Sequence, residues 1–282
     1  MKLLITIAFI WLSSIGFSQT DTIHVMSWNV FLRPGILRDH QLDRVDSIAA
    51  YLNSTNADVL ILQEVFHKKS RKRLTELLSE IYPYHTEVGK KSFWGVSSGV
   101  MIFSKHKIGS EEHVYYKKAK GSDRLAKKGA VLANITFKYY LLSFIGTHLQ
   151  AGDGIKRREI RFAQVNQLST LNSLAYGSII YAGDFNIQHD SNPYATIVND
   201  LETHNLHALS GEHLFTANFS DHELFPTEGI PIWIDFIFIK NPSSLSFEQI
   251  WIEEPRAIID GEMQRISDHN PIHSKIILVS LH

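Results

Sequence analysis

Short apolar runs rich in β-branched residues recur along the chain and alternate with segments of helical periodicity. Eight runs predict strands, at residues 23–30, 59–62, 100–103, 130–137, 141–145, 179–182, 232–239 and 272–279. Three amphipathic segments predict helices, with apolar faces formed by Leu42, Val45, Ala49 and Leu52, by Leu74, Leu77, Leu78 and Ile81, and by Ile160, Ala163, Gln167, Leu168 and Leu171. Lys138-Tyr139 predicts the turn of an antiparallel hairpin. The expected fold is mixed α/β, with packed sheets and outer helices.

Length and composition favour one domain with a large core. The chain has 282 residues, 44% of them hydrophobic, and no linker divides it, so residues 20–282 are expected to form a single domain. Lys and Arg (28) nearly balance Asp and Glu (29), and the formal charge of −1 argues against a stable nucleic-acid complex. The absence of Cys excludes disulfides, thiolate ligands and thiol nucleophiles, and leaves 15 histidines for metal or proton chemistry.

The first 19 residues have the layout of a secretory signal peptide. Lys2 precedes an apolar run from Leu3 to Leu12, and the small residues Gly16 and Ser18 stand before the expected cleavage point. The run is too short to cross a bilayer, which takes about 20 apolar residues. No Cys follows it that could carry a lipid anchor. We therefore expect an exported protein, either secreted or periplasmic.

Polar side chains that suit metal or proton chemistry stand at the ends of the apolar runs, where a core position does not favour them. They are Asn29, Glu64, His148, Asp184, Asn186, Asp235, Asp268 and His269. Each one alone is more often a turn former or a helix cap, and Glu64 is placed to cap a helix over residues 67–81. Asp235 resists this explanation, because a carboxylate between Ile234 and Phe236 is costly to bury without a partner. Their shared position at strand ends favours one common site.

In chain order these residues lie in motifs that resemble those of the endonuclease/exonuclease/phosphatase superfamily. The motifs are Asn29, Leu62-Gln63-Glu64, Gly146-Thr147-His148, Gly183-Asp184-Phe185-Asn186, Ile234-Asp235-Phe236 and Ser267-Asp268-His269-Asn270-Pro271. Each motif is short, but the ordered series is specific and covers nearly all of the chain after the signal. The resemblance implies a four-layer, deoxyribonuclease-like α/β sandwich of two packed mixed sheets flanked by helices, with the site in the cleft at the sheet ends.

Within that superfamily the chain is most similar to secreted bacterial neutral sphingomyelinases, the sphingomyelinase C type of phospholipase. The stretches that carry this likeness are 62–66, 97–105, 128–131 and, above all, Gly146-Thr147-His148-Leu149-Gln150-Ala151. Those enzymes enter membranes with an aromatic-tipped β-hairpin between the buried Asp motif and the final Asp-His. Here the interval from Asp235 to Asp268 is short and offers only Trp251 in place of an exposed aromatic pair, so we expect weaker membrane engagement.

Hydrolysis of a phosphodiester needs a cation against the phosphate, a deprotonated water and a proton donor for the leaving oxygen. Oxygen ligands without Cys suit Mg²⁺, with Mn²⁺ or Co²⁺ as substitutes. Glu64 is the expected main metal ligand, with Asn29 beside it. Asp268 is expected to contact either the metal or His148.

The remaining site residues are expected to handle protons and the phosphate. His269 is the predicted general base on water, because its ordinary pKa of about 6.5 suits proton transfer near neutrality, and Asp235 would hold its ring in one tautomer. Asp184 would orient the water or the metal, and Asn186 would donate to a phosphate oxygen. His148 would stabilise the pentavalent state or protonate the leaving alkoxide. Which histidine is the acid and which is the base stays open at this stage.

Two basic stretches, residues 67–73 and 117–128, fall outside the motif series. The first begins an amphipathic helix and is interpreted as a solvent-exposed face, with contact to lipid head groups or DNA phosphates as the alternative. The second ends at Lys128, which we predict to bind the substrate phosphate.

These features favour a secreted Mg²⁺-dependent phosphodiesterase that hydrolyses sphingomyelin-type phospholipid to ceramide and a phosphorylated head group. It would meet its lipid substrate transiently at a membrane surface. An exported nuclease or phosphoinositide phosphatase of the same superfamily is the alternative, and a non-catalytic binding module is a hypothesis of another class. The near-neutral charge disfavours the nuclease, and the complete motif set disfavours the binding module. The sequence identifies no protein partner.

Overall fold

A computed structural model describes residues 20–37, 40–93, 95–204, 211, 213–219, 230–240 and 245–279. The predicted signal peptide at residues 1–19 lies outside them. The strands are β1 (Thr20–Leu32), β2 (Val59–Val65), β3 (Tyr84–His85), β4 (Met101–Ser104), β5 (Ile108–Tyr115), β6 (Gly129–Phe137), β7 (Tyr140–His148), β8 (Ser178–Asp184), β9 (Thr203–His204), β10 (Asp235–Lys240), β11 (Leu245–Ile252), β12 (Arg256–Ile259), β13 (Glu262–Arg265) and β14 (Ile272–Val279). The α-helices are α1 (Gln41–Ser54), α2 (Lys68–Leu78), α3 (Ile155–Leu168) and α4 (Asn192–Asp200).

The strands form two six-stranded sheets and one separate hairpin. The first sheet has the order β11-β14-β1-β2-β4-β3, the second has the order β5-β6-β7-β8-β10-β9, and β12 pairs with β13. Both large sheets are mixed, because β1–β2 and β7–β8 are parallel while their other neighbours are antiparallel. The first and last strands of the described residues, β1 and β14, are neighbours inside the first sheet.

The two sheets pack face to face and helices cover their outer faces. Ile61 of the first sheet and Phe144 of the second belong to one core between the sheets. On the outer face of the first sheet, Leu52 of α1 joins a second core, and on the outer face of the second sheet Leu168 of α3 packs with Tyr181 in a third. The predicted four-layer α/β sandwich is therefore confirmed. Within the described part of the chain, no helix is both long and apolar enough to cross a membrane.

All eight predicted strands are present, and the predicted turn at Lys138-Tyr139 joins β6 to β7. The strand predicted at 232–239 begins only at Asp235 in the structure. The sequence did not indicate β5 or β11, and both lie at sheet edges, where one side faces solvent and the apolar alternation is weak. In α3 the buried residues are Arg161, Gln164, Val165 and Leu168. Leu168 was predicted, whereas the predicted Ile160 and Ala163 each lie one position before a buried residue.

The sequence did not indicate a hairpin in the interval between Asp235 and Asp268. β12 and β13 form one there, with its turn at Asp260-Gly261. Its exposed apolar side chains are Ile258 and Met263, so the aromatic pair is indeed missing from it. The apolar pattern of this segment is weak because most residues of the hairpin are polar and few of them pack into a core.

A pair of histidines outside the set of predicted site residues, His24 and His273, bridges β1 and β14. His24 Nε2 and His273 Nδ1 are 3.2 Å apart, and His273 Nε2 lies 3.0 Å from the hydroxyl of Tyr51. Burial lowers the pKa of His24 to about 4 and that of His273 to about 3, so both rings are neutral in the folded protein.

This pair should make the fold sensitive to mild acid. Unfolded histidines take up protons below pH of about 6.5, whereas the buried pair does not, so the free energy of unfolding falls as the pH drops from about 7 toward 4. We expect the deeply buried His273 to contribute about 3 kcal/mol to this loss, and the less buried His24 to add a smaller amount. Thermal melts across this range should show a flatter pH dependence for His24→Gln/His273→Gln than for wild type. His85→Gln, at an exposed position, is the control, and equal slopes for all three proteins would contradict the assignment.

Candidate active site

The ends of β1, β2, β7, β8 and β10 bring most of the predicted site residues together. The parallel register of β7 and β8 sets His148 opposite Asp184. The antiparallel register of β8 and β10 pairs the same Asp184 with Asp235. Asn29 and Glu64 lie near the ends of β1 and β2. Because strand pairing fixes these positions, the side chains stand on a rigid base.

Asp184 is the centre of the cluster. Its Oδ2 lies 3.3 Å from Asn29 Nδ2, 3.4 Å from His148 Nε2 and 3.8 Å from His269 Nε2. Burial, together with the neighbouring Asp235 carboxylate, raises the pKa of Asp184 to about 7. One carboxyl group therefore approaches both histidines and changes its protonation near neutral pH.

His269 and Asp235 form a buried hydrogen-bonded pair. His269 Nδ1 donates to Asp235 Oδ2 at 2.8 Å, and the indole N–H of Trp28 donates to the His269 carbonyl at 2.8 Å. Burial alone would lower the pKa of His269, but the carboxylate of Asp235 and two further aspartates outweigh it and raise the pKa to about 10. The ring is thus held in one orientation with Nε2 toward Asp184.

His148 has a different environment, in which Lys128 is the main neighbour. Lys128 Nζ donates to His148 Nε2 at 2.9 Å, to the Leu149 carbonyl at 3.1 Å and to Asp123 Oδ2 at 2.9 Å. Burial, and then the charges of Lys128 and His269, hold the pKa of His148 well below its ordinary value, so the ring is neutral. Because Nε2 accepts, the ring proton is on Nδ1, which has no hydrogen-bond partner among the described residues.

Lys128, the predicted substrate ligand, is more enclosed than its position after a loop suggested. It is 5% exposed, and its three ammonium protons have protein partners. In this arrangement its charge acts on His148, and a contact with phosphate would require exchange of one of these partners.

Glu64 and Asp268 have the features of carboxylates that hold a cation. Glu64 Oε2 and Asp268 Oδ1 are buried, and neither has a hydrogen-bond partner among the described residues. Burial and then the charge of Asp268 raise the pKa of Glu64, and burial raises that of Asp268. Glu64 has a φ of +57°, a strained conformation that is typical of functional sites. A divalent cation would satisfy both oxygens and relieve their repulsion, so these residues fit a metal.

The alternative role for Glu64, a cap for the following helix, finds no support in the geometry. The N-cap of α2 is His67, without a side-chain hydrogen bond that caps the helix.

Asp184, Asp235 and His269 also offer one ligand atom each within 4.8 Å of one another. The hydrogen bond from His269 to Asp235 and the high pKa of His269 favour a proton-carrying pair here, because a metal binds neutral imidazole. Asn29, predicted to bind the metal, donates through Nδ2 to Asp184 and accepts the Phe31 N–H through Oδ1 at 3.2 Å. Its side chain therefore links the carboxylate cluster to β1.

Asn186 lies where the chain leaves β8 and has a φ of +52°. Its N–H donates to Asp184 Oδ1 at 2.9 Å, and its Nδ2 donates to the Leu149 carbonyl at 3.3 Å. The amide is thus fixed beside Asp184, next to the residue that follows His148.

Three residues that build the site were not singled out from the sequence. Asp123 holds the ammonium of the enclosed lysine, and Thr216 Oγ1 accepts the N–H of Asp235 at 3.0 Å. At Gly183 an added Cβ would lie 2.0 Å from the Thr147 carbonyl oxygen, so only glycine fits between the paired strands. Gly183 was inside a quoted motif and Asp123 inside a basic stretch, but nothing in the sequence marked Thr216.

The chain is similar to known bacterial proteins along most of its length. Sphingomyelinase C 2 of Leptospira interrogans is 26% identical over 91% of this chain and 46% of its own length, so this chain spans about half of that relative. A sphingomyelinase C of Bacillus cereus is 30% identical over 92% of this chain and 90% of its own length. A Staphylococcus aureus beta toxin variant, solved with bound magnesium ions, superposes with a TM-score of 0.78 over 90% of this chain and 99% of that chain, at 23% identity.

The resemblance read from the motifs agrees with these comparisons. The model of the Endonuclease/Exonuclease/phosphatase family matches residues 26–269, a range that includes every residue of the cluster from Asn29 to His269. The structural neighbour supports the same four-layer fold. The chain belongs to the endonuclease/exonuclease/phosphatase family.

Proposed function

We propose that this protein is a secreted, Mg²⁺-dependent phosphodiesterase that hydrolyses sphingomyelin-type phospholipid to ceramide and a phosphorylated head group. The observation that carries the proposal is the pairing of a buried His269–Asp235 dyad with two unpartnered carboxylate oxygens, on Glu64 and Asp268. Such a site combines a proton acceptor with a cation position, the two requirements of phosphodiester hydrolysis. The sphingomyelinase C relatives, similar over about nine tenths of this chain, support this substrate class.

Glu64 and Asp268 would hold the metal, with Mn²⁺ or Co²⁺ as substitutes for Mg²⁺. A bound cation would supply positive charge for the phosphate oxygens and would offset the charge of Asp268, one of the aspartates that raise the pKa of His269. The magnesium ions bound to the structurally similar beta toxin support the choice of metal.

His269 would accept the proton of the attacking water at Nε2. Its Nδ1 is engaged with Asp235, so only Nε2 is available for this transfer. Asp235 stabilises the imidazolium that forms, which explains a carboxylate in an apolar strand.

His148 would donate a hydrogen bond to the substrate rather than accept one. Its ring is neutral and carries its proton on Nδ1, without a partner among the described residues. It is therefore ready to hydrogen-bond to a phosphate or leaving oxygen. Lys128 keeps the ring in this tautomer, which makes it a positioning residue behind His148. Asn186, fixed beside Asp184, would orient the phosphate.

A substrate panel tests the proposal. We expect purified protein to release phosphocholine or phosphoethanolamine from sphingomyelin or ceramide phosphoethanolamine with Mg²⁺, and to lose this activity with a chelator. Phosphatidylinositol phosphates and plasmid DNA should react far more slowly. Nicking of plasmid DNA without lipid hydrolysis would instead support the nuclease.

Secretion is part of the proposal and rests on the signal-like residues 1–19. Mature protein should begin near residue 20 when recovered outside the cytoplasm. N-terminal sequencing checks this, and an intact N-terminus on cytoplasmic protein would contradict it.

A further inference from the structure

A basic groove lies beside the catalytic cluster on the surface of the second sheet. It has a volume of about 610 Å³ and is lined among others by Phe93, Lys117, Lys118, Arg124, Lys127 and Ile160. Two links join it to the cluster. Lys127 precedes Lys128, whose Nζ contacts His148, and the buried Tyr116 in its floor hydrogen-bonds to Thr147, the neighbour of His148.

The positive charge of this groove is concentrated and uncompensated. Residues 117–128 contain six Lys or Arg and one acid, Asp123, which is paired with the buried Lys128. Lys117, Lys118, Arg124 and Lys127 are exposed, and within the described ranges none of them forms an ion pair. In a chain with a formal charge of −1, this is a local field of one sign.

The other basic stretch, at α2, provides an internal comparison. There Arg73 Nε donates to Asp46 Oδ1 at 3.0 Å, and Lys72 Nζ lies 3.6 Å from Glu76 Oε1. Arg71 donates to the Val65 carbonyl at 3.0 Å. Its cations are partly neutralised or used within the fold, as expected of an ordinary solvent-exposed helix. The basic groove differs because none of its four exposed cations has an ion pair within the described ranges, whereas in residues 67–73 only Lys68 and Lys69 are exposed without one.

Large apolar side chains are exposed in this groove and on two segments that contribute to its lining, residues 117–127 and α3. Phe93 is 94% exposed, Ile155 at the start of α3 is 73% exposed, and Leu125 next to Arg124 is 51% exposed. Cations interleaved with exposed apolar side chains are typical of surfaces that lie in the head-group region of a bilayer, where the cations meet phosphates and the apolar groups enter the acyl boundary. A nucleic acid would satisfy the cations but would leave Ile155 and Leu125 in water.

We propose that the basic groove docks the enzyme on membranes that contain anionic phospholipids, with Phe93, Leu125 and Ile155 inserted at the interface. Docking there would place the adjoining catalytic cluster next to the lipid head groups. The idea extends the proposed lipid activity to the choice of membrane. Its test does not depend on that activity, because binding is measured on vesicles without substrate.

Sedimentation with sphingomyelin-free vesicles tests the proposal. Wild type should bind phosphatidylcholine vesicles much more tightly when about one third of the lipid is phosphatidylglycerol, and added salt should weaken binding. Lys117→Gln/Lys118→Gln/Lys127→Gln should lower the partition coefficient roughly 100-fold, at about fivefold per cation. Phe93→Ser should lower it about tenfold on both vesicle types.

Lys68→Gln/Lys69→Gln/Lys72→Gln removes the same charge from α2 and should bind like wild type. Equal losses in the two triple variants would show a net-charge effect and overturn the proposal, as would equal binding to both vesicle types. Tighter binding to a short DNA duplex than to anionic vesicles would assign the groove to nucleic acid instead. Melting curves confirm that each variant is folded. If wild type binds anionic vesicles but does not hydrolyse sphingomyelin, the docking proposal is supported and the proposed function is contradicted.

Discussion

Replacing His269 with asparagine should lower kcat for sphingomyelin hydrolysis by about 10³-fold, the usual contribution of a general base. The amide nitrogen of Asn can take the place of Nδ1 and keep the hydrogen bond to Asp235, but it offers nothing at the position of Nε2. The variant therefore removes the proton acceptor and retains the buried partner. We expect KM to change little, because the substrate contacts of the neighbouring residues remain.

Two further variants make this result specific. His269→Ala should be equally inactive but also less stable, because it leaves Asp235 buried without a partner. His85→Asn, on the exposed strand β3, should match wild type. A kcat for His269→Asn within tenfold of wild type, measured on folded protein with saturating Mg²⁺, would exclude His269 as the base.

Replacing Glu64 with glutamine should abolish the response to Mg²⁺. We expect kcat to fall by about 10²-fold or more, because a neutral amide binds the cation weakly. A readout independent of activity is thermal melting. Wild type should be stabilised by added Mg²⁺ through mass action, and the variant should not.

The same variant should have an opposite effect without metal. Glu64 and Asp268 repel one another in a buried site, so Glu64→Gln should melt at least as high as wild type in a chelator. Glu76→Gln on α2 is the control for loss of one acid. A Glu64→Gln protein that is stabilised by Mg²⁺ as strongly as wild type would place the cation elsewhere, with the Asp184, Asp235 and His269 group as the next candidate.

The site residues that stand at the ends of strands could be predicted from the sequence. His148, Asp184 and Asp235 were found because an apolar run precedes or flanks each of them, and strand register then brings them together. The partners of Lys128 could not be predicted, because Asp123 and the Leu149 carbonyl reach it through tertiary packing. An exposed lysine and an enclosed one look the same in sequence.

The fold, too, could be predicted only in part. Central strands such as β2 and β8 are apolar on both faces, since each lies between a core and a helical layer, and their sequence signal is strong. β5 and β11 at the edges, and the β12–β13 hairpin outside both sheets, carry polar residues that face solvent. Their formation depends on a neighbouring strand, which periodicity along a single segment does not reveal.

The pairing of β1 with β14 affects when this protein becomes active during synthesis. Strand β1 pairs with β14, which lies far later in the sequence, so the first sheet cannot close until β14 has left the ribosome. Asn29 and His269 then meet only at the end of folding, and the long sequence separation of this contact makes the step slow. A chain that is translocated unfolded would carry no assembled cleft on its way out. Under the proposed function, this order of assembly would spare the membrane of the cell that makes the enzyme.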